Sequence, residues 1–171
     1  MQLYSTRPGA TSVTLIEDAK RLIKLLSNQR DRNKWKLVTI LIGHNDVCTH
    51  PCNTTYTAFD ASPVQYRDRV AQTLDLLRDN LPNTFVNFVP VLDINFTFVS
   101  PPPNLNISQF IFALQDMFNK PPFCYLAHSY VCPCLFGGFG GTPLSREGME
   151  SLLKGYMDEM YKLINSGRYE T

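Results

Sequence analysis

The chain has 171 residues, of which 44% are apolar and 18% charged, a composition typical of one folded domain and unlike that of disordered segments. Sixteen basic and 15 acidic residues leave a formal charge of +1, which gives no electrostatic support for binding nucleic acid or an anionic membrane. No apolar run approaches the roughly 20 residues that span a bilayer, so no transmembrane segment is predicted.

The first half of the chain alternates helix and strand patterns. Apolar residues recur at helical spacing from Thr14 to about Asn28, and Thr14 with Glu17 has the spacing of a capping box. The continuous, β-branched run from Leu37 to Ile42 predicts a strand buried on both faces. A second helix is predicted from Ser62 to about Asn80, with Ser62 as its cap and Pro63 as its first residue.

The second half continues the alternation and contains one long loop. Its predicted elements are a strand from Thr84 to Ile94 with Pro90 near its end, a short helix from Ile107 to Phe118, a Cys-, Pro- and Gly-rich loop from Asn119 to Pro143, and a helix from Ser145 to about Asn165 with Gly167 placed to cap it.

Strands that alternate with helices predict an α/β domain with a parallel sheet. A parallel strand that is buried on both faces needs neighbours at both edges and helices on both sides. Two strands are too few for this, so the sheet is expected to be incomplete at one or both ends.

Cysteines and glycosylation sequons together favour a secreted, disulfide-bearing protein. The sequons lie at Asn53, Asn95 and Asn106, and the five cysteines are Cys48, Cys52, Cys124, Cys132 and Cys134. The first ten residues are nevertheless not a signal peptide, because they have neither a basic start nor an apolar core.

The spacing of the cysteines leaves their pairing open. Cys48 and Cys52 are close enough for a small disulfide loop, and Cys124 can pair with Cys132 or with Cys134. A bond between the last two would be strained. An odd number leaves one cysteine free or paired with sequence outside the chain.

The polar group Gly43-His44-Asn45-Asp46 follows the first predicted strand directly. Ligands of open parallel sheets bind beyond the carboxyl ends of the strands, which is where this group lies. Glycine, asparagine and aspartate are also ordinary residues for leaving a strand. From the pattern alone, a structural turn and a functional site are equally good interpretations.

Four segments resemble one known family in the correct order. "WKLVTILIGHNDVC" resembles the third conserved block of the SGNH, or GDSL, esterase and lipase superfamily, and "RPGATSVTLIEDAKRLIKLL" resembles the second block of its phospholipase B branch. "FCYLAHSYVCPC" and "LINSGRYET" resemble downstream segments of that branch. The resemblance implies that residues 1–171 form a partial SGNH domain, a three-layer, flavodoxin-like parallel sheet flanked by helices and incomplete at both ends.

The resemblance also implies a chemistry. In that family a serine attacks the ester carbonyl, and the histidine of an Asp-x-x-His motif acts as the base. The oxyanion is held by backbone N–H groups of the serine and of the block-two glycine, and by the amide of the block-three asparagine. These last two positions correspond to Gly9 and Asn45, and Gly43 and Asp46 are expected to support the loop. His44 stands where many relatives have glycine, and its spacing argues against a role as the base.

The nucleophile block, Gly-Asp-Ser-Leu or a near variant, and the Asp-x-x-His block are both absent from the 171 residues. In the family they precede and follow the matched segments, so this chain is expected to be the middle of a domain and, by itself, nearly inactive. The implied substrate is a phospholipid or another lipid ester. No metal, organic cofactor or nucleic-acid partner is implied, and any membrane contact is left to segments outside the chain. The expected location is extracellular, lumenal or at the cell surface, and no oligomeric state is predicted.

Two other classes of protein compete with the hydrolase. In the first, the chain is a complete pseudoenzyme that serves as a binding module. In the second, it is a zinc-stabilised structural domain, although the spacings do not match a standard zinc knuckle. The candidate zinc ligands are Cys48, His50, Cys52, Cys124, His128, Cys132 and Cys134.

Overall fold

The computed structural model describes residues 9–27, 32–49, 62–91 and 143–169. The elements in these ranges are a 3-10 turn (Ser12–Thr14), α1 (Leu15–Ser27), β1 (Lys36–Leu41), α2 (His44–Thr49), α3 (Pro63–Asn80), β2 (Thr84–Val89) and α4 (Pro143–Ile164). The predicted helix at 107–118 and the predicted loop at 119–142 lie outside the described residues.

The sheet confirms the prediction of parallel pairing. β1 and β2 run parallel, in a register that pairs Lys36 with Thr84 and Leu41 with Val89. α3 makes the crossover between the two strands, as a βαβ unit requires. β2 ends just before Pro90, which has no N–H to continue the ladder. Both strands therefore end at the same edge of the sheet.

The predicted start of α3 is confirmed, and α1 begins at Leu15, directly after the predicted cap residue Thr14. The Gln65 N–H donates to Ser62 Oγ at 3.2 Å, so Ser62 caps α3. Thr14 and Glu17 do not form a capping box. Thr14 Oγ1 donates to the Thr11 carbonyl at 3.0 Å, and Glu17 pairs with Lys20 at 2.6 Å.

The helix after the long loop begins earlier than predicted. α4 starts at Pro143, two residues before the predicted Ser145, and ends at Ile164. Proline suits this position, because the first N–H of a helix has no partner within the helix. Gly167, predicted to cap the helix, lies three residues beyond its end and has φ +70°, a left-handed conformation that favours glycine. None of the helices in the described ranges is long and apolar enough to span a lipid bilayer.

The core of the described residues lies between the helices and one face of the sheet. Val38 and Ile40 of β1, with Val86 and Phe88 of β2, pack towards buried residues of α1, α3 and α4. The prediction that β1 is buried on both faces is wrong for the described residues, since Leu37 is 68% exposed and its partner Phe85 is 65% exposed. The physical reason is that α1, α3 and α4 all pack against the face formed by alternate residues.

Candidate active site

Gly43 makes a turn at the end of β1 that only glycine can make. Its φ is +109°, and a Cβ there would lie 2.5 Å from Val91 Cγ2 and 3.0 Å from Tyr66 Cε2. Its carbonyl accepts the Val47 N–H at 3.0 Å, which is the first hydrogen bond of α2. The polar group after the strand is therefore the first turn of a short helix, where sequence analysis expected a turn or loop.

Asn45 lies in this first turn and is partly buried. Its Nδ2 donates to the Ala10 carbonyl at 2.8 Å, across 35 positions of sequence. The two predicted donor segments are thus brought together, because Ala10 directly follows Gly9. A primary amide has two N–H bonds, and this contact fixes the direction of both, since the group is planar.

Gly9 is exposed, and its φ of +73° is in the left-handed region. No atom lies within 4 Å of the place where a Cβ would be, so the backbone conformation, and not lack of space, is the reason for glycine here. A left-handed residue at this point lets the chain approach α2 before it enters the 3-10 turn.

Asp46 is fully buried, with 0% exposure, and binds the beginning of the 3-10 turn. Its two carboxylate oxygens accept the Ser12 N–H at 2.9 and 3.1 Å, and Oδ1 accepts Ser12 Oγ–H at 2.6 Å. A negative charge is favourable at a helix N-terminus, where the backbone N–H groups have no partner within the helix. Asp46 therefore binds the N-terminal end of this helical segment from 34 positions along the chain.

Sequence analysis missed two residues of this group, Ser12 and Arg69. Arg69 Nη1 donates to Ser12 Oγ at 3.1 Å. No local pattern joins them to Asp46, since they come from three segments that meet only in the folded chain.

Two stacked tyrosines lie next to the end of β1, and one of them donates a hydrogen bond to it. The rings of Tyr66 and Tyr156 are 4.1 Å apart at 4°, and Tyr66 OH donates to the Ile42 carbonyl at 3.1 Å. Burial raises the pKa of Tyr66, and the charge of Asp46 raises that pKa further. The hydroxyl is therefore neutral at physiological pH and remains a donor.

We expect Tyr66→Phe to lower the free energy of unfolding by about 1–2 kcal/mol, because a buried carbonyl loses its donor while the ring stack remains. Urea denaturation followed by circular dichroism measures this change. Tyr161→Phe in α4 is the matched control, because Tyr161 is 59% exposed. Equal losses in the two variants would contradict a specific role for the Tyr66 hydroxyl.

His44 is the first residue of α2 and is half-buried. Burial lowers its pKa below the ordinary value of about 6.5. The imidazole is therefore neutral at pH 7 and brings no positive charge to the end of β1.

Of the predicted cysteine and glycosylation sites, only Cys48 is among the described residues, where it is buried in α2. Cys52, Cys124, Cys132, Cys134, Asn53, Asn95 and Asn106 lie outside them. Their pairing and modification stay predictions. Within the described ranges, no group of three or more His, Cys, Asp or Glu side chains could hold a metal ion. Six of the seven candidate zinc ligands lie elsewhere, so the zinc alternative is not tested.

Residues 4–169 match the family GDSL-like Lipase/Acylhydrolase. The chain belongs to this family. The GDSL family has the SGNH α/β fold, and the parallel strands and flanking helices agree with it. The predicted resemblance and fold class are confirmed.

Three curated mammalian proteins are similar to this chain. Each is named "Phospholipase B1, membrane-associated", and identity over 168 residues is 29% for the mouse protein, 30% for the rat protein and 28% for the human protein. The alignments cover 95% of this chain and 10% of each relative, so the chain spans about a tenth of their length. They support the phospholipase B branch of the family. No solved structure gives a significant match.

Proposed function

We propose that the full-length gene product, called the full-length protein below, hydrolyses phospholipids or other lipid esters through an acyl-serine intermediate. Residues 1–171 contribute two donors of its oxyanion hole, the Gly9 N–H and the Asn45 amide. The observation that carries this proposal is the hydrogen bond from Asn45 Nδ2 to the Ala10 carbonyl. It brings together two segments that match the family's two donor blocks.

The proposed chemistry needs donors that are fixed before the reaction begins. When a serine oxygen bonds to the ester carbonyl carbon, the carbonyl oxygen gains a negative charge. The base takes the serine proton and gives it to the departing alcohol, and water later cleaves the acyl-serine. A neutral amide whose direction is fixed by its hydrogen bond to the Ala10 carbonyl can donate to the oxyanion without reorganisation.

Gly43 and Asp46 support this arrangement in different ways. Gly43 allows the sharp exit from β1 that starts α2, because a side chain would overlap Val91 and Tyr66. Asp46 binds Ser12, three residues after Gly9, and so fixes the second donor segment against the first.

The family's nucleophile and base blocks do not occur in the 171 residues. We therefore propose that both lie in flanking sequence of the full-length protein and that the isolated chain does not turn over ester. An oxyanion hole without nucleophile and base retains only a small part of the rate enhancement. The same absence favours the second candidate, a pseudoenzyme that binds lipid without cleaving it.

The relatives are named membrane-associated. Together with the sequons and clustered cysteines, this supports a cell-surface, extracellular or lumenal location for the full-length protein, with Cys48 paired to Cys52. Peptide mass mapping under non-reducing conditions tests the pairing. A free Cys48 thiol in the secreted protein would exclude it.

Fluorophosphonate labelling tests the acyl-serine proposal directly, because this reagent bonds to activated serines. The native protein is recovered with an antibody to residues 62–91, labelled, and its intact mass and phosphatidylcholine hydrolysis are measured. We expect a mass well above 19.5 kDa, labelling at a serine outside residues 1–171, and hydrolysis. A protein near that mass, without label or turnover, would favour the pseudoenzyme.

A further inference from the structure

The buried carboxylate of Asp46 requires compensation of its charge, because an unpaired buried charge is very costly. Asp46 accepts three hydrogen bonds from Ser12, two from its N–H and one from its hydroxyl. A backbone N–H and a hydroxyl are dipoles without net charge. Arg69 adds a positive charge to this group, because its Nη1 lies 3.1 Å from the same hydroxyl.

Ser12 uses both functions of its hydroxyl. The oxygen donates its hydrogen to Asp46 and accepts a hydrogen from Arg69. The guanidinium therefore favours the orientation in which the hydroxyl hydrogen points at the carboxylate. Asp46, Ser12 and Arg69 thus form a carboxylate–hydroxyl–guanidinium series. Hydrogen bonds with an ionised partner are stronger than neutral ones.

Tyr156 is close to both charges of this series. Burial raises its pKa, the Asp46 carboxylate raises it further, and the Arg69 guanidinium lowers it. Two opposite charges near one hydroxyl shift its pKa in opposite directions. The charges at the two ends of the series therefore both act on the tyrosine stack.

The series connects three segments that carry or flank the donors. Ser12 is three residues after Gly9, Asp46 directly follows Asn45, and Arg69 lies in α3. The two donor segments are also joined directly by the neutral hydrogen bond from Asn45 to the Ala10 carbonyl. A neutral hydrogen bond contributes little net stability, whereas the contacts of Asp46 are charge-assisted.

We propose that Arg69 is a positioning residue that acts through Ser12 and Asp46 to hold Gly9 and Asn45 in register. The catalytic importance of this arrangement rests on the proposed function, in which Gly9 and Asn45 are oxyanion donors. Arg69 does not touch the reacting atoms. Its removal loosens the Ser12 hydroxyl, then the position of Asp46, and finally the hydrogen bond from Asn45 to Ala10.

Arg67 offers a matched control on the same helix. It donates to Glu159 at 2.6 Å and to Asp68 at 2.7 Å, so it is also an arginine with carboxylate partners. These partners lie in α4 and in α3 itself, and neither belongs to a donor segment. Loss of Arg67 therefore tests the general effect of removing an α3 arginine.

The experiment measures hydrogen exchange of the Asn45 side-chain amide by NMR in the ¹⁵N-labelled 171-residue chain. We expect Arg69→Met to speed this exchange about tenfold and Arg69→Lys to have an intermediate effect, because the amide opens more often. Arg67→Met is expected to leave the rate within about twofold of the parent chain. Ser12→Ala is expected to speed exchange as Arg69→Met does, and adding Arg69→Met to it should change nothing more.

Two outcomes would overturn the proposal. One is an Asn45 exchange rate that Arg69→Met leaves unchanged, and the other is an equal increase in Arg67→Met. If Arg69→Met does not fold, Arg69→Lys and Ser12→Ala decide by the same criterion. The readout needs no turnover, so failure of the full-length protein to hydrolyse ester would reject the proposed function and leave this inference standing. In an active protein, Arg69→Met should lower kcat about tenfold with KM unchanged, as expected for donors that act only in the transition state.

Discussion

Replacing Asn45 with alanine in the full-length protein is expected to lower kcat for ester hydrolysis about 100- to 1000-fold, the usual effect of losing one oxyanion donor. KM should change little, because the donor binds charge that develops only in the transition state. Hydrolysis of a soluble short-chain ester and of phosphatidylcholine vesicles measures the two constants separately from binding to a lipid surface.

Asn87→Ala is the matched control for this variant. Asn87 is an exposed residue of β2, two positions before the end of the strand, and pairs with Thr39 of β1. Its replacement removes the same amide group from the same sheet at a position outside both donor segments. Its kcat should match that of the parent protein. If Asn45→Ala also retained the parent kcat while its unfolding midpoint fell, Asn45 would be a structural residue and the assigned donor would be wrong.

Gly43→Ala is expected to have the largest effect on stability, a decrease of about 2–5 kcal/mol in the free energy of unfolding, from a strained positive φ together with overpacking. The methyl group would overlap Val91 Cγ2 at 2.5 Å and press on the Tyr66 ring at 3.0 Å. Domains of this size are stable by only about 5–15 kcal/mol, so part of the chain would be unfolded at 37 °C. Urea denaturation followed by circular dichroism and by tyrosine fluorescence measures the loss.

Gly9→Ala separates the two causes of this effect. Gly9 also has a positive φ, but a Cβ there would have no atom within 4 Å. Only the backbone strain applies, and we expect a loss of about 1 kcal/mol. If Gly43→Ala cost no more than Gly9→Ala, the close packing of Val91 and Tyr66 around Gly43 would not be rigid, and its part in directing Asn45 would be refuted.

Much of the fold could be predicted because its signals are local. The cap and first residue of α3 follow from a few neighbouring residues, and the structure confirms them. The parallel pairing follows from the alternation of strands and helices and is also confirmed. β1 is Lys36–Leu41, one residue earlier at each end than predicted. The contacts that bind the segment before α1 could not be predicted in this way. A capping box is a local pattern, whereas the N–H of Ser12 is bound by the carboxylate of Asp46, 34 positions along the chain.

The candidate site shows the same division. The sequence alone indicated the family and the α/β class, which are confirmed, because these depend on residue types in a fixed order. The same resemblance implies Gly9 and Asn45 as donors, and that assignment stays a prediction. The tertiary structure alone decided that Asn45 binds the Ala10 carbonyl, that Asp46 and Arg69 meet at Ser12, and that one sheet face is exposed among the described residues. These depend on distances between residues 34 to 57 positions apart, which chain packing sets and sequence periodicity does not reveal.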